Sequence, residues 1–310
     1  MTVPPLLGIV GPTASGKTDL ALAIARRLPV EIVVADSRQV YRGMDVGTAK
    51  PDGAARAEVP HHLIDLVDPD AVFTVANWVS SARARLPEIA ARERLPLLVG
   101  GTGLYVAALV DGHDYGSQPW SPDRRRQLAD ELDAGGLEAL VERLTRLDPG
   151  TAARIDRRNP RRVLRAIERV EAGGGPTAPH AEPYPGSVAL VAIERPRAVL
   201  YRRIDERARR LFTSEGLLEE AARLLAAGYG PDLHPMSGHG YAEAMRHLGG
   251  ESTLEEAIER TATRTRQYAK RQLTWFRRDP RIRWIDAGDR PADDPVVVDE
   301  AERLLRAAVS

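Results

Sequence analysis

Gly11-Pro12-Thr13-Ala14-Ser15-Gly16-Lys17-Thr18 satisfies the pattern G-x-x-x-x-G-K-[ST] in full. Its flanks supply the context that pattern needs. The apolar run Leu6-Leu7-Gly8-Ile9-Val10 reads as a buried strand, and Asp19 to Leu28 follows with helical spacing at Leu20, Ala21, Ile24 and Leu28. A strand, a glycine turn and a helix start together make a phosphate cradle. The glycines let backbone N–H groups point inward, and the helix N-terminus adds partial positive charge. Lys17 is expected on the terminal phosphates, and the Thr18 hydroxyl on Mg2+, the one cofactor anticipated. Gly11 through Thr18 is therefore the expected diphosphate- or nucleotide-binding loop. The motif marks a polyphosphate binder without saying which one, or what is done with it.

Outward from this loop, Glu31 to Ala35 is a short apolar run ending at Asp36, and Leu95 to Val99 another, ending at Gly100-Gly101-Thr102-Gly103. Val188 to Ile193 is a further strand candidate. Helical patterns cover Val75–Arg94, Leu200–Ala227, Leu254–Arg278 and Val296–Val309. Strands alternating with helices predict an α/β fold: a P-loop NTPase-like parallel sheet with helices on both faces. Ligands of such sheets bind beyond the carboxyl ends of the strands, where Gly11, Asp36 and Gly100 all fall. The middle differs. Asp111–Pro122 and Gly173–Gly186 read as junctions, and Arg124–Glu171 is helical, Arg-rich and without a strand run. The predicted organisation is a core of residues 1–112 and 185–310 carrying a small all-helical insertion domain at 113–184.

The 310 residues are 43% hydrophobic and 28% charged with zero formal net charge, an ordinary globular composition. No apolar run is long enough for a membrane span, and the first strand starts within a few residues without a basic-then-apolar leader. Cysteine is absent, which excludes disulfides and thiolate metal sites. A cytoplasmic protein is the expectation. Of the 44 basic residues, all but Lys17, Lys50 and Lys270 are arginine. GC-rich coding explains the bias; a surviving Lys is then suspect of a task that suits a compact point charge.

Asp36 lies 19 residues after Lys17. It is read as a Mg2+ ligand, as a general base beside the transferred group, or as a helix N-cap. Ser37-Arg38-Gln39-Val40-Tyr41 adds groups suited to a base edge. The Gly100–Tyr105 turn allows close approach of a bulky partner, or is simply tight. Arg154, Arg158, Arg161, Arg165 and Arg169 recur on one helical face. Arg260, Arg264, Arg266, Lys270, Arg271, Arg277 and Arg278 interleave with Tyr268, Trp275 and Phe276, a mixture that suits an RNA strand. One of Arg202, Arg203, Arg207, Arg209 or Arg210 is expected on the polyphosphate. His61-His62 reads as structural rather than metal-binding, because adjacent side chains do not converge. Two functions stand on these residues alone: a P-loop small-molecule kinase using ATP, and a nucleotide-gated RNA-binding module. No N-K-x-D motif supports a GTPase.

The chain resembles the tRNA dimethylallyltransferases, also called tRNA isopentenyltransferases. GPTASGKT (11–18), ADSRQVYRGMDVGTAKP (35–51), PHHLID (60–65), LLVGGTGLY (97–105), NPRRVLRAIE (159–168) and TRQYAKRQLTWFRRD (265–279) carry the resemblance, in the family's order and over nearly the whole chain. It implies transfer of a dimethylallyl group from dimethylallyl diphosphate to the exocyclic amine of the adenosine 3′ of the anticodon, with release of diphosphate. It implies that the loop holds the prenyl diphosphate, with Lys17, Thr18 and Mg2+ neutralising the leaving group. Asp36 matches the family's base, and Arg207 its arginine on the diphosphate. Contacts with tRNA are implied for Asp36, Ser37, Arg38, Gln39, Thr102, Arg124, Pro160, Arg161, Arg162, Val163, Leu164, Lys270, Arg271 and Gln272. Gln39 belongs to the loop that reads the flipped-out adenine, and the insertion grips the anticodon stem-loop. The partners implied are tRNA and the prenyl diphosphate, without a membrane, and the protein is expected to be a monomer. Ala107, His239 and Ala242 depart from the family pattern, as does the segment His113–Trp120.

Overall fold

Leu6–Val10 is buried along its whole length, so it needs apolar cover on both faces, and the fold supplies it. A computed structural model describes residues 3–112, 121–173 and 182–307. The strands are β1 (Leu6–Val10), β2 (Val30–Val34), β3 (His61–His62), β4 (Leu95–Gly100), β5 (Val188–Glu194) and β6 (Ile282–Asp286). They form one sheet in the order β3-β2-β4-β1-β5-β6 with every pairing parallel. The helices are α1 (Lys17–Ala25), α2 (Gly53–Glu58), α3 (Val75–Ala91), α4 (Gly103–Val110), α5 (Pro122–Leu147), α6 (Pro149–Arg154), α7 (Pro160–Glu171), α8 (Arg197–Thr213), α9 (Leu217–Ala226), α10 (Tyr241–Leu248), α11 (Leu254–Phe276) and α12 (Pro295–Arg306).

Alternate residues of each strand feed opposite cores. Leu7, Ile9, Ile32 and Val34 pack with Leu20 and Ile24 of α1 and with Val297, Ala301 and Leu305 of α12. Leu6, Val10 and Val33 face the other way, with Trp78 of α3, Tyr105 of α4, and residues of α8 to α11. The sheet is thus an α/β layer covered on both faces, as the sequence predicts.

The chain divides into two compact units, Met1–Asp111 with Pro183–Ser310, and Gly112–Glu182. In the second unit, α5, α6 and α7 pack around Leu128, Leu140, Leu144, Val163, Leu164 and Ile167. Of the expected junctions Asp111–Pro122 and Gly173–Gly186, residues 113–120 and 174–181 lie outside the described residues, as do the last two residues of the expected closing helix.

Some elements differ from expectation for local reasons. The single helix predicted over Leu200–Ala227 is two, because Gly216 adopts φ 84°, a left-handed value that starts α9 afresh. The Arg-rich segment Arg124–Glu171 is helical as expected, divided into α5, α6 and α7, with Gly136 at φ 74° and ψ 172° kinking α5. β6 escapes the sequence reading because Arg283 and Asp286 interrupt its apolar residues; as an edge strand it buries only Ile282 and Ile285 fully.

Candidate active site

The phosphate loop is shaped by left-handed backbone at Gly11 (φ 128°), Ala14 (φ 61°) and Gly16 (φ 101°). Ala14 holds such a value at a steric cost, the kind of strain that surrounding contacts must fix. Those contacts come from arginines behind the loop. Arg195, nearly buried just after β5, donates from Nε to the Ser15 carbonyl at 2.8 Å. Its Nη1 reaches the carbonyls of Gly288 (3.2 Å) and Arg290 (2.8 Å). Arg203 Nε donates to the Ala14 carbonyl at 3.0 Å, and Arg207 Nη1 to Thr13 Oγ1 at 3.2 Å. Gly16 cannot carry a side chain: a Cβ there would stand 2.5 Å from Ala292 Cβ.

Lys17 turns its ammonium back into the loop, donating to the Pro12 carbonyl at 2.6 Å. Burial lowers its pKa to about 8, the Asp36 charge opposing and Arg207 adding to that shift. Arg207 is also pulled below its ordinary value by burial, with Asp36 among the charges that oppose it. Lys17, Asp36 and Arg207 are therefore one electrostatic group. The Ser15 hydroxyl is buried without a hydrogen-bond partner, and Thr18 is exposed on the first turn of α1. A cradle of this shape, with an orphan hydroxyl, an exposed hydroxyl and two convergent cations, fits a diphosphate with Mg2+ on the Thr18 oxygen.

Asp36 follows β2, whose end registers Val34 against Val99 of β4, while Val10 of β1 registers against Gly100. The three predicted strand tips are thus side by side. No helix starts at Asp36, so the N-cap reading falls; Oδ1 instead accepts the Arg38 N–H at 2.8 Å, a local turn. Thr102 Oγ1 accepts the Ser37 N–H at 3.0 Å, and the Thr102 N–H donates to the Ala35 carbonyl at 3.1 Å. The turn that follows β4 therefore supports Asp36 and its neighbours from beneath. Glycine is obligatory at position 100, where a Cβ would lie 2.1 Å from the Ala35 carbonyl oxygen. Tyr268 stands by this group: burial, then the Asp36 charge, pushes its phenol up to about 12.

Several site expectations need correction. Gln272 is not on a surface that RNA could touch. It is buried, its Oε1 accepting from Thr13 N–H at 2.9 Å and its Nε2 donating to the Gly101 carbonyl at 2.8 Å. Val163 and Leu164 fill the core of the helical unit and present no side chain to a partner. Arg124 is committed within that unit, to Glu171 at 2.8 and 3.1 Å, Glu131 at 3.2 Å and Gln127 at 3.1 Å. Phe276, read as a stacking residue, is 1% exposed and belongs to the core. Lys50, by contrast, has a task suited to a point charge, donating to the Tyr41 carbonyl (2.5 Å), Asp45 (2.7 Å) and Asp65 (2.5 Å). His62 pairs with the buried Glu31 at 2.6 Å, and among the described residues no group of His, Asp and Glu is arranged to hold a metal.

Other expected residues stand where a partner can reach them. Pro160, Arg161 and Arg162 are exposed on the first turn of α7, whereas Arg165 is half-buried beside Glu168 at 3.4 Å. Lys270, Arg271, Thr274 and Trp275 of α11, with Arg278 just beyond its end, line an open cleft of about 220 Å³. Trp275 is 44% exposed there, and its ring rests on Gly103, where a Cβ would come within 2.3 Å of it. Gln39 is half-buried, with Nε2 donating to the carbonyls of Thr48 and Ala49 at 3.1 Å each. Arg38 Nη1 donates to the His234 carbonyl at 2.7 Å. Sequence reasoning missed Arg195 and Arg203 as loop supports, because their roles depend on the register of β5 and α8 against the loop.

Comparison with known proteins identifies the family. The model of the IPP transferase family matches residues 39–279, and that of isopentenyl transferases residues 5–59. A tRNA dimethylallyltransferase of Roseiflexus castenholzii is 47% identical over 304 residues, covering 97% of each chain. One of Syntrophobacter fumaroxidans is 46% identical over 290 residues, covering 92% of this chain and 84% of the relative. The crystal structure of the full-length tRNA isopentenylpyrophosphate transferase of Bacillus halodurans superposes with a TM-score of 0.71 at 39% identity, covering 99% of this chain and 98% of that one. The chain belongs to the IPP transferase family, among the tRNA dimethylallyltransferases.

Proposed function

We propose that this enzyme transfers a dimethylallyl group from dimethylallyl diphosphate to the exocyclic amine of the adenosine 3′ of the anticodon in tRNA. The observation that carries the reading is the shared electrostatic environment of Lys17, Arg207 and Asp36. Two cations and a cradle of N–H groups suit a departing diphosphate. A carboxylate within their field suits an attacking amine. The relatives bear the transferase name, and none of this supports the kinase alternative.

In this mechanism the loop from Gly11 to Thr18 grips the diphosphate, with the Ser15 hydroxyl gaining a partner. The Thr18 hydroxyl would hold Mg2+, which when bound would supply charge neutralisation to the leaving group. The adenine amine is a poor nucleophile. Asp36 accepts its hydrogen bond and then its proton as the N–C bond forms and the C–O bond to diphosphate breaks. Lys17 and Arg207 stabilise the charge that gathers on the departing oxygen. The adenine must leave the stack to reach Asp36, and the segment Ser37–Gln39 with Thr102 is where its edge is met. Lys270, Arg271 and Trp275 on α11, and Arg161 and Arg162 on α7, supply phosphate contacts and a stacking face to the anticodon stem-loop. No helix among the described residues is long and apolar enough to cross a membrane; the reading is of a monomer acting in the cytoplasm.

The test is direct. Incubated with Mg2+, dimethylallyl diphosphate and an anticodon stem-loop with adenosine 3′ of the anticodon, the protein is expected to add one prenyl unit to that adenosine, read by mass spectrometry. Phosphate transfer from ATP without prenylation would overturn the reading in favour of a kinase. RNA binding without turnover would overturn it in favour of a binding module.

A further inference from the structure

The carboxylate of Glu220, on α9, is 1% exposed and lies against the loop that joins Met44 to Lys50. Three consecutive backbone N–H groups donate to it. Asp45 reaches Oε2 at 2.9 Å, Val46 reaches Oε1 at 3.1 Å and Oε2 at 2.9 Å, and Gly47 reaches Oε1 at 3.2 Å. The Tyr241 hydroxyl donates to Oε1 at 2.5 Å. Successive N–H groups of this kind form a concavity for an anion, here filled by the protein's own side chain. The Tyr241 ring closes it: a Cβ on Gly47 would stand 2.4 Å from that ring, so only glycine fits. Arg223 stands 4.0 Å away and 75% exposed, so the carboxylate is held chiefly by hydrogen bonds rather than by that ion pair.

The far end of the same loop meets Gln39. Its Nε2 donates to the Thr48 and Ala49 carbonyls, so the amide plane is set by where Glu220 holds the preceding residues. Gln39 lies three residues beyond Asp36, in the segment where the proposed function places the adenine edge. We infer that Glu220 is a positioning residue for RNA: through the loop 45–49 it fixes Gln39, and thereby the docking of the nucleobase beside Asp36. The inference rests on the proposed function, and it assigns a task to Gly47, Thr48 and Ala49 of the 35–51 stretch that the chemistry leaves without one.

The test uses the full chain with Mg2+, dimethylallyl diphosphate and the stem-loop. Glu220→Gln keeps the shape but turns an NH2 group toward N–H donors. It is expected to lower kcat/KM for the stem-loop about tenfold while KM for dimethylallyl diphosphate stays within about twofold. Combined with Gln39→Ala, it is expected to add no more than about a twofold loss to that of Gln39→Ala alone, because both act through one contact chain. Tyr241→Phe removes one donor, keeps the ring on Gly47, and is expected to give a loss of about threefold on the RNA side only; it carries the test if Glu220→Gln does not fold. Three results overturn the inference: wild-type efficiency in Glu220→Gln, an equal rise in KM for both substrates, or losses that multiply in the double variant. Gln39→Ala at wild-type efficiency would instead sink the role given to Gln39, and this inference with it. A deficient Gln39→Ala beside a normal Glu220→Gln removes this inference alone.

Discussion

Gln272 and Thr13, far apart in sequence, are joined by one hydrogen bond: the Thr13 N–H donates to Gln272 Oε1 at 2.9 Å. The other end of the same amide donates to the Gly101 carbonyl at 2.8 Å, so α11 ties the phosphate loop to the turn beneath Asp36. Both halves of the reaction centre depend on this one side chain. Gln272→Ala takes the partner from a part-buried N–H and a buried carbonyl, which costs about 1–3 kcal/mol. Gln272→Glu keeps the Thr13 bond but sets a carboxylate oxygen against the Gly101 carbonyl. Both variants are expected to lose stability in urea melts and to raise KM for the two substrates together. An effect confined to RNA would contradict the clamp.

Asp36 is expected to be needed for turnover and not for diphosphate capture. Its Oδ1 is fixed by the Arg38 N–H, and its charge acts on Lys17 through space. Asp36→Asn should lower kcat by about 10²–10⁴ while dimethylallyl diphosphate binding, followed by calorimetry, changes little. Equal loss of binding and turnover would mark Asp36 as a metal ligand instead.

The sheet was legible because its strands are apolar and short, and the phosphate loop because a fixed spacing of glycines encodes a fixed backbone. β1, β2, β4 and β5 fall within a residue or two of the predicted runs, and their tips meet as predicted. What periodicity cannot carry is which side of a helix faces what. Gln272 sits among exposed Lys270, Arg271, Thr274 and Trp275, yet points inward, since α11 turns by about 100° per residue. Val163 and Leu164 lie beside exposed Arg161 and Arg162 for the same reason. Lys50 was suspect as a lysine in an arginine-rich chain, and the structure gives it a task of the expected kind: a point charge converging on three oxygens in a space closed to solvent.

The phosphate loop gives a pH dependence with a definite sign. Only protonated Lys17 attracts a diphosphate, and burial holds its pKa at about 8. For the free enzyme, kcat/KM for dimethylallyl diphosphate is expected to fall as pH rises through about 8, approaching tenfold per unit above it. Bound diphosphate favours the ammonium, so the fall in kcat should appear at higher pH. A profile for kcat/KM that is flat from pH 7 to 9.5 would remove Lys17 from this role.

Gly100 offers a test of the floor under Asp36. An alanine methyl would meet the Ala35 carbonyl oxygen at 2.1 Å and its carbon at 2.4 Å, and backbone atoms cannot swing aside as a side chain can. Gly100→Ala is expected to cost more than about 3 kcal/mol and to abolish prenylation. Gly53→Ala, where nothing lies within 4 Å, is the matched control and should melt within about 0.5 kcal/mol of the parent. Similar melts for the two would contradict the packing.

The helical unit's part in RNA binding is separable from the chemistry by salt. Arg161 and Arg162 are exposed at the start of α7, where N-cap Asn159 fixes the turn, while Arg165 is engaged with Glu168. Each exposed arginine that neutralises a phosphate releases counterions and adds about 0.7–0.9 to the slope of log K against log salt. Arg161→Ala with Arg162→Ala is therefore expected to flatten that slope by up to about 1.5 for stem-loop binding, and to leave KM for dimethylallyl diphosphate unchanged. Arg165→Ala should change the slope less, because Glu168 already neutralises part of its charge. A double variant whose slope equals that of the parent would show that this turn of α7 meets no phosphate, and would move the RNA grip to the cleft of Lys270, Arg271 and Arg278.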